Sequence, residues 1–275
     1  MRLPDCETLK LTLRDVRLDI LMNRPEQRNA INAQMAAELT DLLNRLHATR
    51  DVRLIVLRGA GGNFCAGGDI KERKAVAEAA IPGTDPVKER NERAGWMFRA
   101  LQTLPQTTIA AVEGSAFGGG LGFACCADLT IVSESARMGM PEVTLGIAPA
   151  QIAPFVVKRV GLSRARQLAL TASRFGGREA YEFGVAQYLC ADNGMDTKIE
   201  EVAAQVTRCA PMASAATKEI LLAVGSIPDA EMAAFAAERF SALANGPEGR
   251  EGQLAFVEKR PPAWAAHLTQ SGRGQ

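Results

Sequence analysis

Histidine is nearly missing from this chain, with only His47 and His267 in 275 residues. They lie far apart, one in a helix-like segment and one in the tail, so a histidine-based catalytic triad or zinc site is not expected and both read as surface residues. The six cysteines contain no Cys-x-x-Cys pair, and Cys125 and Cys126 sit inside an apolar run. They read as buried free thiols rather than as metal ligands or a redox pair. Charge of one sign is not in excess either: the formal net charge is +1. That leaves no overall field for gathering nucleic acid, although a local basic patch is still allowed. Apolar runs stop well short of the roughly 18 residues of a membrane span, so no insertion is expected. The first fifteen residues carry charges every few positions and lack the apolar centre of a secretory signal, which points to the cytoplasm. Neither Gly-x-Gly-x-x-Gly nor Gly-x-x-x-x-Gly-Lys-Ser/Thr occurs at the glycine-rich loops, so nicotinamide and P-loop nucleotide sites are unsupported.

What is present alternates. Residues 8–14 and 16–22 alternate apolar and polar side chains about Asp15, the pattern of a β-hairpin. A polar loop then leads to Met35, Leu39, Leu42, Leu43 and Leu46, whose spacing predicts an amphipathic helix with Asn32 as its N-cap. Leu54–Leu57, Thr108–Val112 and Leu129–Val132 read as short buried strands, with a helix from Ile70 and another over 119–127. Between them, residues 71–95 are charge-rich and interrupted by Pro82 and Pro86, which predicts a loop excursion before a helix near 96–104. Strand, glycine loop, helix and strand recur twice, the signature of α/β construction with crossover connections. Later segments are mostly helical: 165–170, 178–183, 195–209, 213–222, 230–243 and 251–258. The expected division is an α/β core over 1–195 and a helical region over 196–275.

The stretch 112–149 carries the chemistry. Gly118-Gly119-Gly120 and Ala66-Gly67-Gly68-Asp69 each present consecutive backbone N–H groups just before a predicted helix. Two readings stay open. The glycines either permit tight strand-to-helix turns, or they aim amides and the positive helix end at an oxygen gaining negative charge, such as a ligand carbonyl. Glu142 follows Met138-Gly139-Met140-Pro141, an apolar setting for a carboxylate. It reads either as a helix N-terminal residue held by backbone amides or as an acid–base group. Asp69 and Asp128 read as turn or cap residues, and Glu113 and Glu134 have nothing that sets them apart.

Together these residues resemble a known family. Asn23-Arg24-Pro25 with Asn29-Ala30, then Phe64-Cys65-Ala66-Gly67-Gly68-Asp69-Ile70, Gly118-Gly119-Gly120, Pro141-Glu142, Leu145-Gly146-Ile147 and Pro149 are similar to the signatures of the enoyl-CoA hydratase/isomerase (crotonase) family. The closing Phe256-Val257-Glu258-Lys259-Arg260 with Trp264 is similar too, so the match spans nearly the whole chain. Gly118 to Gly122, Met140 to Ile147, the run Pro149 to Val157 and the form of residues 210–218 resemble the isohexenylglutaconyl-CoA hydratases of acyclic terpene breakdown.

The resemblance implies a crotonase-type spiral of ββα turns, a helical C-terminal trimerisation region, and a homotrimer or dimer of trimers. It implies an acyl-CoA substrate and no cofactor beyond the coenzyme A carried by that substrate. Carried over, the Gly68 and Gly119 amides hold the thioester carbonyl, Ala66 and Ile70 line the adenine pocket, and Arg28 approaches coenzyme A phosphates. Of two glutamates common in family hydratases, one matches Glu142 and the other falls on Gly122. Glu142 would manage the water alone, and Gly122 is expected to leave room for a branched acyl chain. Hydration of an α,β-unsaturated branched acyl-CoA is the leading expectation. Δ3,Δ2-enoyl isomerisation fits the same residues, and a non-catalytic RNA-binding role is the alternative of another class.

Overall fold

A computed structural model describes residues 2–72, 78, 81 and 83–265. His267 and Pro82 lie outside the described residues.

The chain opens with the expected hairpin. Strands β1 (Leu9–Arg14) and β2 (Arg17–Met22) pair antiparallel around Asp15, with Leu18, Ile20 and Met22 turned inward. Helix α1 (Ala33–His47) starts at Asn32, whose side chain accepts the Met35 N–H. It buries the five apolar residues that its spacing singles out. Strands β3 (Leu54–Gly59), β4 (Thr107–Val112), β6 (Leu129–Ser133) and β9 (Tyr188–Cys190) extend the sheet in parallel, giving the order β1-β2-β3-β4-β6-β9. Strand β3 is nearly continuous apolar residue because both its faces are covered. A smaller sheet takes β5 (Ser115–Phe117), β7 (Arg137–Gly139) and β8 (Arg174–Gly176) in the order β5-β7-β8.

Two helices are longer than their sequence periodicity indicates. Helix α2 spans Pro86–Gln102, so the second half of the expected excursion is helical. Pro86 opens it rather than interrupting it: Asp85 caps the Lys88 N–H, and a proline at the first helical position gives up an amide that has no partner there anyway. Helix α4 spans Ala153–Thr171, where only 165–170 is expected, and Gly161 breaks its regularity with a positive φ of 76°. Helices α3 (Gly119–Cys126) and α5 (Gly177–Glu182) complete this layer.

One face of the large sheet packs under α1, α2, α3 and α4. The other is covered by α6 (Met195–Thr207), whose Met195, Ile199, Val202 and Ala203 meet Leu54, Val56, Ile109, Ala111 and Ile131. The helical region is thus joined to the core at its first helix. Helices α7 (Pro211–Ala223), α8 (Asp229–Ala244) and α9 (Pro247–Val257) follow. Lys218 on α7 reaches back to Asp128, 2.5 Å away, and donates to the Gln106 carbonyl. Arg53 donates to the carbonyls of Thr207, Cys209 and Trp264, fastening the end of α6 and the chain beyond α9 to the sheet.

Four thiols are buried as expected, but Cys6 is half-buried and Cys209 exposed. His47 is half-buried rather than on the surface, with Nε2 3.0 Å from the Ala100 carbonyl.

Candidate active site

The site is assembled by a segment that behaves as a strand without being long enough to count as one. Residues 64–69 run between 28–31 on one side and 113–117 on the other. Phe64 and Cys65 donate to the carbonyls of Glu113 and Ser115, and Phe117 donates to that of Cys65. On the opposite side Ala66 donates to Arg28, Ile31 to Gly67, and Asp69 to Ile31. Because Ile31 bonds to Gly67 and Asp69, the intervening Gly68 turns its own N–H to the other edge, the side of residues 115–119.

There it meets the start of α3. Gly118 donates to the Gly139 carbonyl and takes φ 51°, ψ −115°, a conformation closed to residues with a Cβ. The next amide, Gly119, is the first of the helix and has no acceptor within it. A Cβ placed on Gly67 would lie 2.8 Å from the Phe117 carbonyl oxygen and 3.5 Å from the Gly119 nitrogen, so the two loops touch backbone to backbone. The Gly68 and Gly119 N–H groups have no acceptor among the described residues.

Glu142 completes the group. It follows β7 at the head of a 3-10 turn, Glu142–Leu145, that ends in the left-handed Gly146. A Cβ on Gly118 would stand 2.8 Å from Glu142 Oε1. Glu142 Oε2 is buried and has no hydrogen-bond partner among the described residues. Burial pushes the carboxyl's pKa above its ordinary value, and the residue's own backbone N–H opposes that only in part. An N-terminal helix role would satisfy both oxygens, and this one leaves Oε2 free. Cys65, beside these groups, is no rival nucleophile, since burial pushes its thiol up to about 12.

The apolar walls come from residues that the sequence reading does not single out. Ile31 Cδ1 and Phe98 Cζ lie 2.9 and 3.5 Å from a Cβ position on Gly119. Phe98 also packs against Phe123 and Phe155, with ring centroids 5.0 and 6.2 Å away. Gly122 departs from expectation. A Cβ there would meet Ile152 Cγ2 at 2.4 Å and Phe98 Cε1 at 3.1 Å. The space next to Gly122 that a glutamate side chain would need is filled by Ile152, the residue that precedes α4.

Arg28, Ala66 and Ile70 lie along the same strip as Gly68. Arg28 adopts a left-handed φ of 48°, is exposed, and lines an open groove with Phe117, Arg137 and Arg174. Ile70 is 54% exposed. Asp69 caps the Glu72 N–H, as a turn residue should, and also pairs with Arg24 at 3.1 Å. Asp128 receives the Thr108 N–H and hydroxyl besides Lys218, while Glu113 and Glu134 pair with Arg58 and Arg178. All four are structural here. Among the described residues no group of three or more histidine, cysteine or acidic side chains could hold a metal, and no helix is long and apolar enough to cross a membrane.

Residues 17–267 match the family described as enoyl-CoA hydratase/isomerase. The chain belongs to that family. It is similar to the solved structure of Pseudomonas aeruginosa AtuE, at 46% identity and a TM-score of 0.91, covering 94% of this chain and 100% of that one. An enoyl-CoA hydratase/isomerase from Marinobacter aquaeolei is similar at 43% identity, with the same TM-score and coverage. The carnitinyl-CoA dehydratase of Proteus mirabilis is 33% identical over 264 residues, 94% of this chain and 98% of its own. The fold is accordingly the crotonase fold, with its parallel sheet and C-terminal helices.

Proposed function

We propose that this enzyme adds water across the double bond of an α,β-unsaturated, branched acyl-CoA of glutaconyl type, close to isohexenylglutaconyl-CoA. The observation that carries the reading is Glu142: a desolvated carboxylate with one free oxygen, set against a backbone that offers two free amides. In the reaction, Glu142 accepts a proton from water as the water oxygen bonds to the β-carbon. The π electrons move to the thioester oxygen, which the Gly68 and Gly119 N–H groups stabilise. Glu142 then returns the proton to the α-carbon, and the carbonyl re-forms. One such amide is typically worth about 10²–10³ in rate. No cofactor enters this sequence. Ala66, Ile70 and Arg28 flank the coenzyme A portion, and the exposed apolar residues of the C-terminal helices support assembly into a trimer or dimer of trimers.

The glutaconyl assignment is supported by the residue pattern around 118–122, 140–157 and 210–218. The filled position at Gly122 favours a second reading, because a lone carboxylate also serves to move a proton between α- and γ-carbons, as in Δ3,Δ2-isomerisation. Purified protein supplied with 2-enoyl, 3-enoyl and glutaconyl-type thioesters in heavy-oxygen water separates the two. Label incorporated at the β-carbon supports hydration. A 3-enoyl thioester shifted without label, with 2-enoyl thioesters left untouched, overturns it.

A further inference from the structure

Arg90 lies in α2, near the site and unused by the mechanism above. Its Nη2 sits 2.7 Å from Glu72 Oε2 and 3.4 Å from the Ile31 carbonyl oxygen. Glu72 is already committed elsewhere, because both its oxygens accept the Ala33 N–H at the start of α1. The other nitrogen, Arg90 Nη1, is buried and has no acceptor among the described residues. A guanidinium does not give up its charge, and a buried charged donor without an acceptor is costly to keep. Such a group is explained if its acceptor arrives with a ligand.

Ile31 fixes where that acceptor would be. Its carbonyl touches Arg90 while its Cδ1 lies against Gly119, so a single residue links the guanidinium to the proposed thioester oxygen site. A glutaconyl-type chain carries its carboxylate on the carbon next to the β-carbon, a short way from the thioester. The side chains against Gly119 and Gly122, those of Ile31, Phe98 and Ile152, are apolar and offer such a carboxylate no hydrogen bond. From this arrangement we infer that Arg90 Nη1 receives the distal carboxylate of the acyl chain and selects dicarboxylic acyl thioesters over neutral ones. The inference rests on the hydration reading above and names the group that gives it substrate specificity.

The test compares glutaconyl-CoA with the thioester in which a carboxamide replaces the carboxylate, using the full-length chain. The wild type favours the carboxylate in kcat/KM. Arg90→Gln lowers the carboxylate-to-carboxamide ratio at least about 30-fold, mostly through KM, because one partner of a buried charge pair is lost. Arg90→Lys keeps a cation against Glu72 and recovers part of the ratio. An Arg90→Gln variant that slows both thioesters equally shows a purely structural role through Glu72 and overturns the inference. So does a wild type that prefers the carboxylate together with a variant whose ratio is unchanged, and that result leaves the hydration reading standing. A wild type that hydrates neither thioester nor any other enoyl-CoA overturns both.

Discussion

The proposed reaction requires Glu142 to carry charge in a place that disfavours it. Its raised pKa sets two opposite pH dependences. As a base it must be ionised, so kcat/KM should fall as pH drops through a value above the ordinary 4.5 of a glutamate. For stability the sign reverses. A carboxyl whose folded pKa is raised contributes its full stability below the ordinary value and loses it as pH rises through the raised one. Glu142→Gln should therefore lose about 10²–10⁴ in rate, yet melt above the wild type at pH 8, with the difference closing near pH 4 in thermal scans. At Gly122 packing decides. Gly122→Glu alone meets Ile152 at once and should destabilise the fold by about 1–3 kcal/mol in denaturant titrations without gaining activity. Paired with Ile152→Ala, the new carboxylate has space, and stability should largely return.

At the level of elements, the readable features are those written in neighbouring residues. The five-residue stripe of α1 and its Asn32 cap are local, as is the alternation of the first hairpin. Helix α2 is misjudged because a proline among charges looks like a break, whereas Asp85 and Pro86 form a start. Helix α4 is half-hidden because Gly161 interrupts its period. The link between α7 and the sheet is invisible in sequence, since Lys218 and Asp128 are far apart in the chain. Burial pushes the Lys218 ammonium's pKa down while Asp128 pulls it up, so the pair holds because both groups are present. Lys218→Met should cost about 3 kcal/mol by leaving Asp128 without its cation, and adding Asp128→Asn should recover much of that. Urea titration of the three proteins measures it.

Across the whole molecule, the glycine loops and Glu142 stand out in the sequence because each is a short motif. The walls do not: Ile31 precedes α1, Ile152 precedes α4, and Phe98 and Arg90 lie on α2, so they meet only in the folded chain. The same distance hides the proposed assembly surface. Phe240, Phe256 and Val257 are 72%, 85% and 76% exposed on α8 and α9, more apolar surface than a solitary chain usually shows there. Sedimentation should find a trimer or hexamer, and Phe256→Glu should shift the distribution toward smaller species.

The ladder that brings Gly68 beside Gly119 has a consequence for the order of events in folding. Its rungs, from Phe64 to Glu113, from Cys65 to Ser115 and from Phe117 back to Cys65, join segments that must find one another across an intervening strand and helix. Such long-range pairings close late and slowly compared with helices. Helical signal should thus return early in refolding, while catalysis waits for those three rungs, making activity a clock for the last step of topology.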